Sequence, residues 1–146
     1  MTLKVSTGLR NAMLDTQSLK TALALGFIKL YSGAVPATAD AAVTGTLLTT
    51  ISVNSTGTGL SLATAAASGT IAKASEVWSG VNAATGTATY FRFIAATGDD
   101  GTLSTTQKRL QGTVGTSGAD LNLSSVNLTA TAVQTIDAAN ITLPTF

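Results

Sequence analysis

Neither cysteine nor histidine occurs among the 146 residues. Without cysteine no disulfide staples the fold, and without either residue type the usual zinc and iron ligand sets are missing. The lack of histidine also removes the side chain that most often titrates near neutral pH, so no imidazole stands ready to activate a serine or threonine. Charge is scarce as well. Charged residues make up 10% of the chain, against about 25% in an ordinary domain. Eight Lys and Arg are balanced by seven Asp and Glu, for a net charge of +1. The only basic doublet is Lys108–Arg109, which is no electrostatic footprint for nucleic acid. No apolar run approaches the roughly 20 residues that a membrane helix needs. Lys4 and Arg10 imitate the start of a basic leader, but Asp15 and Lys20 interrupt any apolar stretch behind them, so no signal peptide is expected.

What remains is a chain rich in Thr, Ser, Gly and Ala. Its length suits a single domain, with roughly 21,000 Å² exposed when unfolded and roughly 7,000 Å² when folded, enough burial for a core without staples. A surface so poor in charge repels its neighbours weakly, and net charge near zero favours association. Both chain ends are expected to be held in place, as in a tightly packed oligomer.

The first segment has helical spacing. Ser6 or Thr7 offers a cap, and Leu9, Ala12, Met13, Thr16, Leu19 and Leu23 follow at three- and four-residue steps. Asp15 and Ser18 offer an interruption that would divide it into two short helices, and Gly26 ends it. After Gly26 the texture is that of strands: Phe27–Ser32, Thr46–Val53, Gly59–Thr64, Thr70–Ala74, Thr85–Ala96, Arg109–Gly115, Ala119–Ser125, Val126–Val133 and Ala139–Pro144. Turn signals recur between them, and Trp78 is the expected core anchor. The pattern predicts an all-β fold, an antiparallel β-sandwich or jelly roll of about eight strands with an N-terminal α-helix. Residues 1–26 form the helical segment, expected to be an interface arm, and residues 27–146 the sandwich.

Each candidate site has a plain reading. Asp99 and Asp100, in Thr97-Gly-Asp-Asp-Gly-Thr102, could be a carboxylate pair. Acid–base chemistry needs two carboxyls in different environments, and calcium needs six to eight oxygens. Two neighbours between glycines fit an exposed turn instead, so replacing both by Asn is expected to leave folding almost unchanged. Gly112, Gly115 and Gly118 are spaced G-x-x-G-x-x-G, which is neither the dinucleotide fingerprint nor the triphosphate loop. A turn or bulge is expected there. Lys4, Lys20, Lys29, Lys73 and Lys108 supply amines, but no motif pairs one with a serine. Asn54, Asn122, Asn127 and Asn140 each begin an N-x-[ST] triplet, as chance provides in so Ser- and Thr-rich a chain. Tyr31, Trp78, Tyr90, Phe91 and Phe93 could form a sugar platform, yet alternating aromatics more commonly fill a core and the opposite sheet face. Arg92, out of phase with Phe91 and Phe93, is expected to reach solvent or an interface. No catalytic, cofactor-binding or metal-ligating residue is assigned.

Four segments carry a resemblance: Ile28–Leu48 (IKLYSGAVPATADAAVTGTLL), Ala84–Phe93 (ATGTATYFRF), Gly112–Ser125 (GTVGTSGADLNLSS) and Ile141–Pro144 (ITLP), with GLRNAML near the start. In that order they resemble a family of small proteins encoded beside the structural genes of tailed bacteriophages, and Val53–Ser79 is the least distinctive stretch. The resemblance implies a virion structural protein, a capsid decoration or cement protein, made in the bacterial host cytoplasm and incorporated into the virion. Its implied partners are the major capsid protein and further copies of itself, as a dimer or trimer, with no enzyme activity, cofactor, nucleic acid or membrane involved. A neck, tail or head-fibre component, or a carbohydrate-binding β-sandwich module, is the alternative. Residues 1–25 are expected to contribute to the shell contact, and removal of residues 1–10 to abolish shell binding while the sandwich still folds.

Overall fold

The computed structural model describes residues 3–95 and 98–143. The order expected at the two chain ends concerns residues 1–2 and 144–146, which lie outside that range, as does Ala96 at the end of an expected strand. In chain order the elements are β1 (Lys4–Val5), α1 (Thr7–Asp15), α2 (Leu19–Ala22), β2 (Phe27–Tyr31), β3 (Leu47–Val53), β4 (Thr70–Ala72), β5 (Trp78–Val81), β6 (Gly86–Thr87), β7 (Tyr90–Ile94), β8 (Arg109–Gly115), β9 (Leu121–Asn122), β10 (Asn127–Leu128), β11 (Val133–Ile136) and β12 (Asn140–Thr142).

These build the expected all-β sandwich with short helices at its start. The main layer is an eight-stranded sheet in the order β1-β8-β7-β2-β3-β5-β11, with β9 beside β8. Every pair is antiparallel except β8–β9. Two ribbons, β4–β12 and β6–β10, pair antiparallel apart from it. Alternation along each strand gives the sheet two unlike faces. Ile28 and Leu30 of β2, Phe91 and Phe93 of β7 and Leu110 of β8 turn one way, into a buried cluster shared with Ile51, Trp78 and Ile136. Ile71 and Ile141 of the β4–β12 ribbon and Leu9, Leu19 and Leu23 of the helical segment close that cluster. Trp78 meets Phe93 edge-on at 6.1 Å, and its indole N–H donates to Glu76 Oε1 at 2.8 Å. It is the expected anchor, although the strand it begins is not legible in Trp-Ser-Gly-Val.

The helical segment divides at its polar middle. The Ser6 hydroxyl accepts from the Leu9 amide and caps α1, and Ser18 caps α2 through a reciprocal pair with Thr21. Gly26 does not end a helix: α2 stops at Ala22, and Leu25 takes the left-handed turn at φ 56°. At Gly26 a Cβ would lie 2.0 Å from Ile94 O, so the glycine lets β2 start tight against β7.

Residues 3–26 are built into the domain. Lys4 and Val5 pair with Gln111 and Leu110, and Ser6 Oγ donates to Gln107 O and accepts from the Arg109 amide. Leu9 is fully buried. Removal of residues 1–10 therefore strips an edge strand, a helix cap and a core leucine, and is expected to destabilise the sandwich as well as to alter any contact this segment makes.

Candidate functional site: the polar face of the sheet

The sheet's second face carries the buried side chains of Arg92, Arg109 and Gln111. Register sets Thr50, Lys29, Arg92, Gln111 and Lys4 in one row across β3, β2, β7, β8 and β1. Tyr31, Tyr90 and Thr113 form a second row, and Phe27, Ile94 and Arg109 a third. Tyr31 and Tyr90 stack at 5.0 Å. Burial, then the neighbouring Tyr90, pushes the Tyr31 hydroxyl up to about 12. All five residues of β7 are buried, because both of its faces are covered.

The cover on this side is made of chain without regular structure, residues 32–46 and 98–108. Backbone carbonyls removed from water need donors, and the sheet supplies them. Gln111 Nε2 donates to Pro36 O at 2.8 Å and Lys4 Nζ to the same oxygen at 3.2 Å. Arg109 Nη1 reaches the carbonyls of Ala39 and Asp40, both at 3.3 Å. Arg92 Nη2 donates to Ala41 O at 2.7 Å, while its Nε holds Gln111 Oε1 at 2.9 Å. The Tyr90 hydroxyl donates to Thr44 O and accepts from the Thr44 amide. On the other loop, Arg109 Nη2 donates to Thr102 O at 2.7 Å and Lys29 Nζ to Asp99 O at 2.9 Å. The loops also hold each other, through Val43 N to Gly101 O and Ser104 N to Asp40 O, each 2.9 Å.

Arg109 and Asp99 are the centre of this cover. Arg109 is 0% exposed and Asp99 3%. The guanidinium donates through Nε to Asp99 Oδ2 and through Nη2 to Oδ1, the latter at 2.5 Å. Asp99 Oδ1 also accepts from the Gly101 amide at 2.8 Å. Burial alone would raise the Asp99 carboxyl. The hydrogen bonds from Arg109 and Gly101, with the charges of Arg109 and Lys29, outweigh it and hold the carboxyl below its ordinary value. Burial, followed by the charge of Arg109, lowers Arg92 from the ordinary guanidinium value.

Two sequence expectations change here. Asp99 is not an exposed turn residue: it turns inward to an arginine ten positions on, and only Asp100 faces solvent, where it holds the Thr102 amide and hydroxyl at 3.0 and 2.7 Å. Replacing both by Asn is therefore expected to destabilise the fold through Asp99. Of the basic doublet, strand alternation drives Arg109 inward, while its neighbour Lys108 reaches Gln17 Oε1 at 2.6 Å. Arg92 reaches neither solvent nor an interface, being buried at 1% exposure. One signal for these placements was available. Residues 41–72 carry no charge at all, and the Ala-rich stretch at 34–42 has few side chains with which to satisfy its own backbone.

The remaining candidates take their plain readings. Gly112 and Gly115 lie within β8, and Gly118 makes the following turn at φ 68°. Tyr31, Trp78, Tyr90, Phe91 and Phe93 are all buried and leave no aromatic platform among them. Among the described residues no cluster of three acidic side chains has the geometry of a metal site. A groove of about 450 Å³ lies between the helices and the β4–β12 ribbon, lined by Met13, Leu19, Ile71, Ile141 and Leu143. Its one charged group, Lys20, donates to Thr64 O at 2.7 Å.

Chemically, the polar face is a clamp. Its arginines present planar guanidinium forks to carbonyl and carboxylate oxygens. Its one buried carboxylate is fully bonded and kept ionised. The arrangement fixes two loops and presents their outer side, with Leu103 and Val35 exposed. Compared with family models, curated proteins and solved structures, the chain matches none.

Proposed function

We propose that this chain is a non-enzymatic structural protein of a tailed-phage virion, a decoration or cement protein that binds the assembled capsid shell. The family comes from the resemblance carried by Ile28–Leu48, Ala84–Phe93 and Gly112–Ser125. The observation that carries the mode of action is the clamp: Lys29, Arg92, Arg109, Asp99 and Gln111 are all engaged in holding loops. A loop held rigid loses little further freedom when a partner meets it, which favours binding.

Cementing follows from mass action. A protein that binds the assembled shell and not its separated subunits stabilises the assembly. Each copy spanning two subunits makes its second contact at high effective concentration. In this reading the N-terminal segment contributes through its outer side, where Arg10, Asn11 and Leu14 are exposed, Leu14 at 86%. The test is the copy number in purified particles, by quantitative mass spectrometry against the major capsid protein. A number comparable with that of the shell subunit supports cement. A number near that of portal or tail proteins makes it a neck, tail or fibre component, and absence from particles overturns the reading.

A further inference from the structure

The two ends of the large sheet are finished differently. At one end β1 and β9 have two residues each, and Lys4 of β1 ties back to Pro36 O. Short edge strands and lysines are devices that keep a sheet from pairing with another chain. At the other end β11, Val-Gln-Thr-Ile, is hydrogen-bonded on one side only among the described residues, to β5. It has no lysine, no proline and no register shift against β5. Val133 sits directly opposite Val81, and these two valines are 60% and 53% exposed. Val77, just before β5, is exposed as well.

Charge points to the occupant. No charged residue lies in residues 41–72, 77–91 or 121–136, so β3, β5 and β11 carry none. The strands of this edge attract neither a basic nor an acidic strand by charge, and with Asp137 lying just past the end of β11 the edge meets its own copy with little repulsion. An antiparallel pairing of one strand with itself is self-complementary about a two-fold axis. We infer that β11 is a homodimer edge: two copies join β11 to β11 and extend the sheet across the axis, with Val81 and Val133 of each copy packed beside the seam. Gln134 Nε2 now donates to Thr135 O at 2.8 Å, a bond that an incoming strand's N–H replaces. The inference stands on this edge alone and does not depend on the virion reading.

Sedimentation velocity on the full chain over a wide concentration range tests it, with Val133→Lys and Thr135→Lys alongside. Both positions are exposed, so circular dichroism and the thermal midpoint should stay at wild-type values. The expected result is a wild-type dimer that dissociates on dilution, and two variants monomeric at concentrations at least about tenfold above the wild-type midpoint, the shift that 1.4 kcal/mol produces. A wild-type chain monomeric throughout, or variants that dimerise like wild type, overturns the inference. A dimer found for a protein absent from particles would leave it intact while removing the virion role.

Discussion

On one side of the large sheet Ile28, Leu30, Phe91, Phe93 and Leu110 meet other apolar side chains; on the other, Lys29, Arg92, Arg109 and Gln111 meet carbonyls of irregular loops. Strand β7 serves both sides at once. The apolar side is held by contacts without direction, so volume-conserving changes there are tolerated. The polar side is held by directed bonds, and loss of one partner leaves the other buried and unsatisfied. The apolar side gives the domain its core, while the polar side determines where two loops stand.

That contrast can be broken most severely at Asp99. Asp99→Ala leaves the buried Arg109 guanidinium without its counter-charge, for an expected loss of about 3–5 kcal/mol, read from the urea midpoint. Leu30→Ala, on the other face, should cost about 2–5 kcal/mol by opening a cavity. The two differ in where the damage falls. Hydrogen exchange should rise in residues 36–44 and 99–106 for Asp99→Ala, and without preference for these loops in Leu30→Ala.

Acid sharpens the comparison with a smaller effect. The folded-state value of Asp99 is depressed, so the stability it contributes is present above its unfolded value, near pH 4. That contribution is lost as pH falls through the depressed folded value. The stability gap between wild type and Asp99→Asn should therefore be constant near neutrality and narrow in strong acid, followed by urea denaturation at successive pH values. The smallest effect is expected at Asp100. It is exposed, and Asn retains the acceptor for the Thr102 amide, so Asp100→Asn should leave the urea midpoint unchanged.

Much of the apolar side was legible in sequence, because alternation and helical spacing are local. Phe91 and Phe93 against Tyr90 and Arg92, the break between α1 and α2, and Trp78 as an anchor all follow from neighbours within a few positions. The polar side depends on partners far apart in the chain. Arg109 joins Asp99, Ser6, Ala39 and Asp40, and nothing near Lys108–Arg109 announces that alternation turns one inward and the other out. A two-residue strand such as β1 carries too few positions for a pattern. The alternation of β5 is interrupted in sequence by Gly80, where a Cβ would lie 2.3 Å from Thr50 O.

The most direct test is hydrogen exchange of residues 39–44 in Asp99→Asn under native conditions. Asp99 holds Arg109, whose Nη1 donates to the Ala39 and Asp40 carbonyls. If the polar face is a clamp, weakening that ion pair should accelerate exchange in this loop together with residues 99–106, while β2 and β7 keep their protection. Unchanged protection at 39–44 would contradict the clamp and leave the buried charges without the role assigned to them.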